Sequence, residues 1–140
     1  MESGDGDVAQ SLVAAQNILT AYPNVRATIA NSSEIAIPIA QAIEQAGRVG
    51  ETQGFGHGTP ASLHPFFESG SFGAISMWDP GEWGEWTAVI GIALHQGMTF
   101  EVGPITDFPN FPNAEKLDDN IFYFHNMFTY TVDNVFDFDW

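Results

Sequence analysis

Between residues 7 and 96, segments of helical apolar period alternate with short β-branched or apolar runs. No other feature restricts the fold as much. Residues 7 to 22, DVAQSLVAAQNILTAY, put Val8, Leu12, Ala15, Ile18 and Leu19 on one helical face. Asp7 suits the N-cap, Gln10 stands three residues on as in a capping box, and Pro23-Asn24 ends the helix. Residues 25 to 30, VRATIA, predict a mostly buried strand. Asn31-Ser32-Ser33 is a polar stop in which Ser32 or Ser33 suits an N-cap. A second helix is predicted over residues 34 to 46, with Ile35, Ile39, Ala42, Ile43 and Ala46 on one face. Pro38 falls early enough to sacrifice at most one hydrogen bond, and Gly47 is placed to end the helix.

The alternation continues with a weaker strand at 52 to 55, a short helix at 61 to 68 followed by Gly70, and a strand at 74 to 78, AISMW. A helix from Pro80 to Gln96 carries Trp86, Val89, Ile90, Ala93 and Leu94 on its apolar side. The order predicts an α/β fold: a mostly parallel sheet covered on both faces in a three-layer α/β/α arrangement, with right-handed crossovers. After Gly97 the pattern fades. Residues 99 to 120 read as an extended loop, 121 to 130 as a late aromatic strand, and TVDNVFDFDW as a short helical turn with an acidic aromatic end. The length of 140 residues suits one domain, 1–140.

Charge narrows the partners. Asp and Glu number 18 against three cations, Arg26, Arg48 and Lys116, for a net charge of −15. No basic stripe can be assembled for nucleic acid or for an anionic membrane. So few lysines among so many acids point to a salt-rich habitat, where salt screens carboxylate repulsion. With no cysteine, disulfide and thiolate chemistry are excluded. The start MESGDGDVAQ has neither the basic nor the apolar region of an export signal, and no apolar run reaches membrane-span length. As written, the chain reads as soluble and cytoplasmic.

In an open parallel sheet, ligands bind at the carboxyl ends of the strands. Three such ends open into polar residues: Asn31-Ser32-Ser33-Glu34, Gly56-His57-Gly58-Thr59 and Trp78-Asp79-Pro80. Hydroxyl, amide, imidazole and carboxylate groups beside an indole suit a sugar, whose hydroxyls need two-way partners and whose C–H faces stack on aromatic rings. Asn31, Ser32, Ser33, His57, Trp78 and Asp79 are therefore the candidate ligand contacts. Structure alone offers rival roles: helix caps for Ser32, Ser33 and Asp79, partial burial for Trp78, and a tight turn for the glycines of GFGHGTP. That glycine run lacks both dinucleotide-loop spacing and the Lys-Ser/Thr of a phosphate loop. His57, His64, His95 and His125 show no metal-ligand spacing, and no nucleophile–base arrangement is apparent. No cofactor, metal or enzymatic activity is indicated.

Three stretches together resemble a known family: GDGDVAQSLVAAQNILTAYPNVRATIANSSE, GFGHGTPASLHPFFESGSFGAISMWDPGEWG and FTYTVDNVFDFDW. The chain resembles the C-terminal lobe of type I periplasmic sugar-binding proteins of ABC importers, in the rhamnose-binding and autoinducer-2-binding branch. The resemblance implies a single lobe of a two-lobed clamp that closes on a small sugar. It implies sugar contacts at Ser32, with Ser33 beside it, and at Asp79. At the second strand end the family often has an aspartate in a G-F-D-G-T-P context. Here the stretch is one residue longer, and Gly56 or His57 falls at that place. The resemblance further implies an N-terminal lobe, an ABC permease as partner, and an extracytoplasmic location for the full-length protein. A lone lobe is expected to bind sugar weakly. The alternatives are a self-associating or protein-interaction lobe, forming a homo-oligomer, and the effector lobe of a sugar-responsive regulator.

Overall fold

The computed structural model describes residues 7–140. The acidic start read above as lacking an export signal lies, over residues 1–6, outside the described residues. In chain order the elements are α1 Val8–Ala21, β1 Ala27–Ala30, α2 Ser33–Gln45, β2 Gln53–His57, α3 Pro60–Ser69, β3 Phe72–Trp78, α4 Pro80–His95, β4 Gly103–Pro104, β5 Ala114–Lys116, β6 Phe122–Phe124 and β7 Met127–Thr131. A 3-10 turn, Val135–Asp137, follows. The residues fall into two compact units, one of residues up to Met77 with Thr129–Trp140, the other Trp78–Phe128.

The first unit carries the α/β alternation. β1, β2 and β3 run parallel, and the four-stranded sheet has the order β1-β2-β3-β7. The Asp7 carboxylate accepts the Gln10 N–H at 2.8 Å and fixes the start of α1, as its position predicts. α2 packs on β1 and β2, and α1 packs on α2. Glycines in the left-handed region end two helices: Gly47 (φ +66°) follows α2 and Gly70 (φ +80°) caps α3. Ile39, Ile43, Leu63, Phe67, Phe72, Ile75, Tyr130 and Val135 are buried and form the core. The C-terminal tail is tied down: His64 Nε2 lies 3.0 Å from the Val135 carbonyl, the Ala61 N–H donates to the Trp140 carbonyl at 3.3 Å, and Tyr130, Phe138 and Trp140 meet edge to face.

The second unit has its own core. Trp86 and Ile90 of α4 pack with Ile105, Phe111, Ala114 and Phe124, and Phe100, Phe108 and Phe122 lie against the cluster. β4, β5 and β6 form a three-stranded antiparallel sheet. Lys116 Nζ donates to the Phe100 carbonyl at 2.9 Å.

The α/β class and the parallel sheet agree with the sequence reading, and four corrections follow. First, the strand over residues 25 to 30 is not mostly buried. β1 is an edge strand among the described residues, and Ile29 in its middle is 77% exposed. Ala27 and Ile29 point to the bare face, while Ala30, on the α2 side, is buried. Second, residues 99 to 120 are not only loop, since β4 and β5 lie there. Third, the late strand is two short strands, β6 and β7. Fourth, the predicted apolar faces are too wide at their margins, for Val8, Ala46 and Leu94 are exposed.

Candidate functional site

In the first unit the site begins where β1 ends. Ala30 is the last strand residue, Asn31 is exposed, and Ser32 is the N-cap of α2 with extended backbone. The Ser32 side chain makes no capping bond to the helix backbone. Its hydroxyl instead hydrogen-bonds the carboxylate of Glu34 in the first turn. Three influences hold the Glu34 carboxyl below its ordinary value. The largest is the hydrogen bond from its own backbone N–H, then comes the Ser32 hydroxyl; desolvation acts the other way, and attraction to His57 is the smallest of the influences. Hydroxyl, carboxylate and imidazole thus share one electrostatic neighbourhood at the ends of β1 and β2. Ser33 opens α2 and is half-buried.

His57 is the last residue of β2 and pairs in register with Ser76 of β3. The glycines around it are set by packing. Gly56 has φ +132°, and a β-carbon there would run into the Ala30 carbonyl oxygen, so β2 lies hard against the end of β1. A β-carbon on Gly54 would meet the Phe72 ring, and one on Gly58 would meet Leu63 Cδ1 at 2.6 Å. Beyond them the Thr59 hydroxyl shares a 2.7 Å hydrogen bond with Ser62, and Pro60 opens α3.

In the second unit, Trp78 ends β3 and Asp79 caps α4. Asp79 Oδ1 accepts the N–H groups of Gly81 at 2.7 Å and Glu82 at 3.2 Å, while Oδ2 takes no part in the cap. The Trp78 ring lies 5.8 Å from that of Trp83, centroid to centroid, tilted by 36°. Trp78 is half-buried and Trp83 is 42% exposed. Among the predicted contacts, Ser32 and His57 are thus linked through Glu34 in one unit, and Trp78 and Asp79 adjoin Trp83 in the other.

Two participants were missing from the sequence reading. Glu34 appeared there only as part of a polar stop. Trp83 continues the helical stripe of Trp86, Ile90 and Ala93, so its spacing reads as core. Two other histidines have local partners: His64 at the C-terminal tail, and His125 with Glu115 at 2.7 Å. No group of three or more potential metal ligands occurs among the described residues.

Residues 1–99 match the family described as "Periplasmic binding protein domain". Among solved structures, the chain is similar to LsrB from Clostridium saccharobutylicum in complex with AI-2, with a TM-score of 0.78 and 21% identity, over 96% of this chain and 46% of that one. It is similar to a sugar ABC transporter protein from Actinomyces odontolyticus, with a TM-score of 0.81 and 24% identity, over 98% and 44%. A third is an ABC transporter solute binding protein from Clostridium phytofermentas with bound L-rhamnose, with a TM-score of 0.79 and 17% identity, over 97% and 46%. The chain therefore spans a little under half the length of each of these structures. The resemblance to periplasmic binding proteins seen in the sequence is borne out in the fold. The chain belongs to the periplasmic binding protein domain family.

Proposed function

We propose that the chain is a carbohydrate-binding lobe of an ABC-importer substrate-binding protein and that it acts without chemical turnover. The observation that carries this reading is the parallel register of β1 and β2, which pairs Ala30 with Gly56 and so brings Ser32, Glu34 and His57 to adjoining strand carboxyl ends. That edge is where open α/β sheets take their ligands, and the groups there both donate and accept hydrogen bonds. Asn31 and Ser33 flank the cluster, and Trp78 with Asp79 supplies an indole and a carboxylate in the second unit. The ligand class is a small sugar or sugar-like molecule, as in the neighbours named for a sugar, L-rhamnose and AI-2.

In this reading a second α/β lobe completes the clamp, an ABC permease receives the cargo, and the assembled protein works outside the cytoplasm. Enclosure supplies most sugar affinity, because hydrogen bonds strengthen in a dry cleft. By itself the chain should bind monosaccharides more weakly than about millimolar. Calorimetric titration with L-rhamnose tests this. Tight, saturable binding by the chain alone would contradict a half-site. A weak response abolished by His57→Ala or Asp79→Ala, but not by Glu68→Gln on α3, would support it.

One observation favours a second reading. Among the described residues β1 presents an open edge with Ile29 77% exposed, which suits a lobe that pairs with a protein partner or with itself. Sedimentation of the chain at high concentration separates the two, since a monomer throughout speaks against self-association.

A further inference from the structure

We infer that Trp83 pairs with Trp78 as a stacking platform beside Asp79, and that this platform selects sugars whose apolar side includes a deoxy-sugar methyl. The inference rests on the sugar-binding reading above and names the chemistry that one part of the site prefers.

Trp83 lies in the first two turns of α4, where its position on the helical stripe would bury it. Instead it is 42% exposed, whereas Trp86, three residues on, is 4% exposed within the aromatic core. A large apolar ring left open to water has a cost that burial against Phe111 or Phe124 spares Trp86. The exposed ring is not isolated, since its centroid is 5.8 Å from that of Trp78 at a 36° tilt. The two indoles form a slightly opened pair, a geometry that places C–H groups against π faces. Asp79 stands between them in sequence and commits Oδ1 to the helix cap, so Oδ2 is the oxygen placed to accept from a sugar hydroxyl. Two aromatic faces and one acceptor fit a ligand with an apolar side and a hydroxylated side. A sugar hydroxylated all round would place a polar group against indole and lose a water partner there.

The test uses the four tryptophan indole N–H resonances of the intact ¹⁵N-labelled chain, assigned through single Trp→Phe variants. L-Rhamnose and L-mannose are titrated in parallel, because they differ only by methyl against hydroxymethyl at C6. The Trp78 and Trp83 resonances should move together and saturably with L-rhamnose while that of Trp86 stays fixed. Trp83→Ala should lower the L-rhamnose to L-mannose preference by about threefold to tenfold, and Trp83→Phe should largely retain it. An unmoved Trp86 resonance reports that each variant is folded. If Trp78 moves but Trp83 does not, or if Trp83→Ala leaves the preference unchanged, the inference fails and the sugar-binding reading stands. If neither sugar moves any indole or the Asp79 amide, the sugar-binding reading fails and the inference with it.

Discussion

The Phe72 ring occupies the space that a β-carbon on Gly54 would need: Cδ2 and Cε2 lie 2.5 Å from that position, and Ile39 Cγ2 lies at 3.1 Å. A reciprocal contact occurs one step along, where Phe55 Cε1 lies 2.7 Å from the β-carbon position of Gly73. The β2–β3 register shifts at this point, so each phenylalanine covers a glycine on the neighbouring strand. β2, which ends in His57, and β3 are therefore locked together by ring-over-glycine packing.

Gly54→Ala should destabilise the chain by about 1–3 kcal/mol, because Phe72 is buried against Phe67 and has no room to retreat. Gly91→Ala is the contrast. Gly91 lies inside α4 with nothing within 4 Å of its β-carbon position, so the substitution should stabilise by about 0.5–1 kcal/mol. Chemical denaturation of both variants checks the two signs.

Arg48 acts as a clamp. Its guanidinium donates to the carbonyls of Pro23 and Val25 at 2.8 Å each and of Leu19 at 3.4 Å, with its side chain 12% exposed. This fixes the chain between α1 and β1 against the end of α2. Arg48→Met keeps most of the apolar stem and removes the donors, and should cost about 2–4 kcal/mol through unpaired carbonyls. A shift in denaturation midpoint of no more than a surface substitution produces would contradict this.

The Glu34 carboxyl, held low by its own backbone N–H, Ser32 and His57, should titrate below the ordinary glutamate value. A depressed folded-state value means that the associated stability is present above the unfolded-state value and disappears as pH falls through the folded one. Side-chain carboxyl NMR over the acid range reads the midpoint directly. Ser32→Ala should move that midpoint upward, and an unchanged midpoint would break the proposed link between the two side chains.

All three cations are turned toward backbone carbonyls: Arg26 to Glu51 at 3.3 Å, Lys116 to Phe100 at 2.9 Å, and Arg48 as above. The Lys and Arg ion pairs are long, 3.8 Å for Arg48–Glu51 and 3.9 Å for Lys116–Asp119. Little of the −15 net charge is offset by close pairing, so repulsion falls to dissolved salt to screen. Going from about 0.1 M to 1 M shortens the screening length from about 10 Å to about 3 Å. Thermal midpoints should rise steeply across that range, and a flat response would remove the case for a salt-rich habitat.

The parts visible in the sequence were those with a period or a sharp punctuation mark. α1, α2 and α4 announce themselves through apolar spacing, with Asp7, Gly47 and Pro80 marking their ends and Gly70 marking that of α3. The exposure of Ile29 did not show, because a β-branched run reads alike at an edge and in a sheet centre. β4 and β5 are two and three residues long, too short for alternation to register. The aromatic core of the second unit draws on Phe100, Phe108, Phe111 and Phe124, whose spacing follows no period. At the candidate site, polar stops after apolar runs marked the strand ends. The Ser32–Glu34 bond and the exposure of Trp83 depend on side-chain directions that spacing does not encode.

The most direct test of the central claim is an amide-resolved NMR titration of the intact chain with L-rhamnose. The account predicts weak, saturable shifts centred on residues 31–34, on His57 and on Trp78-Asp79, with α1 and the Val135–Asp137 turn unaffected. Shifts centred elsewhere, or none up to the solubility limit of the sugar, would contradict a carbohydrate site at these strand ends.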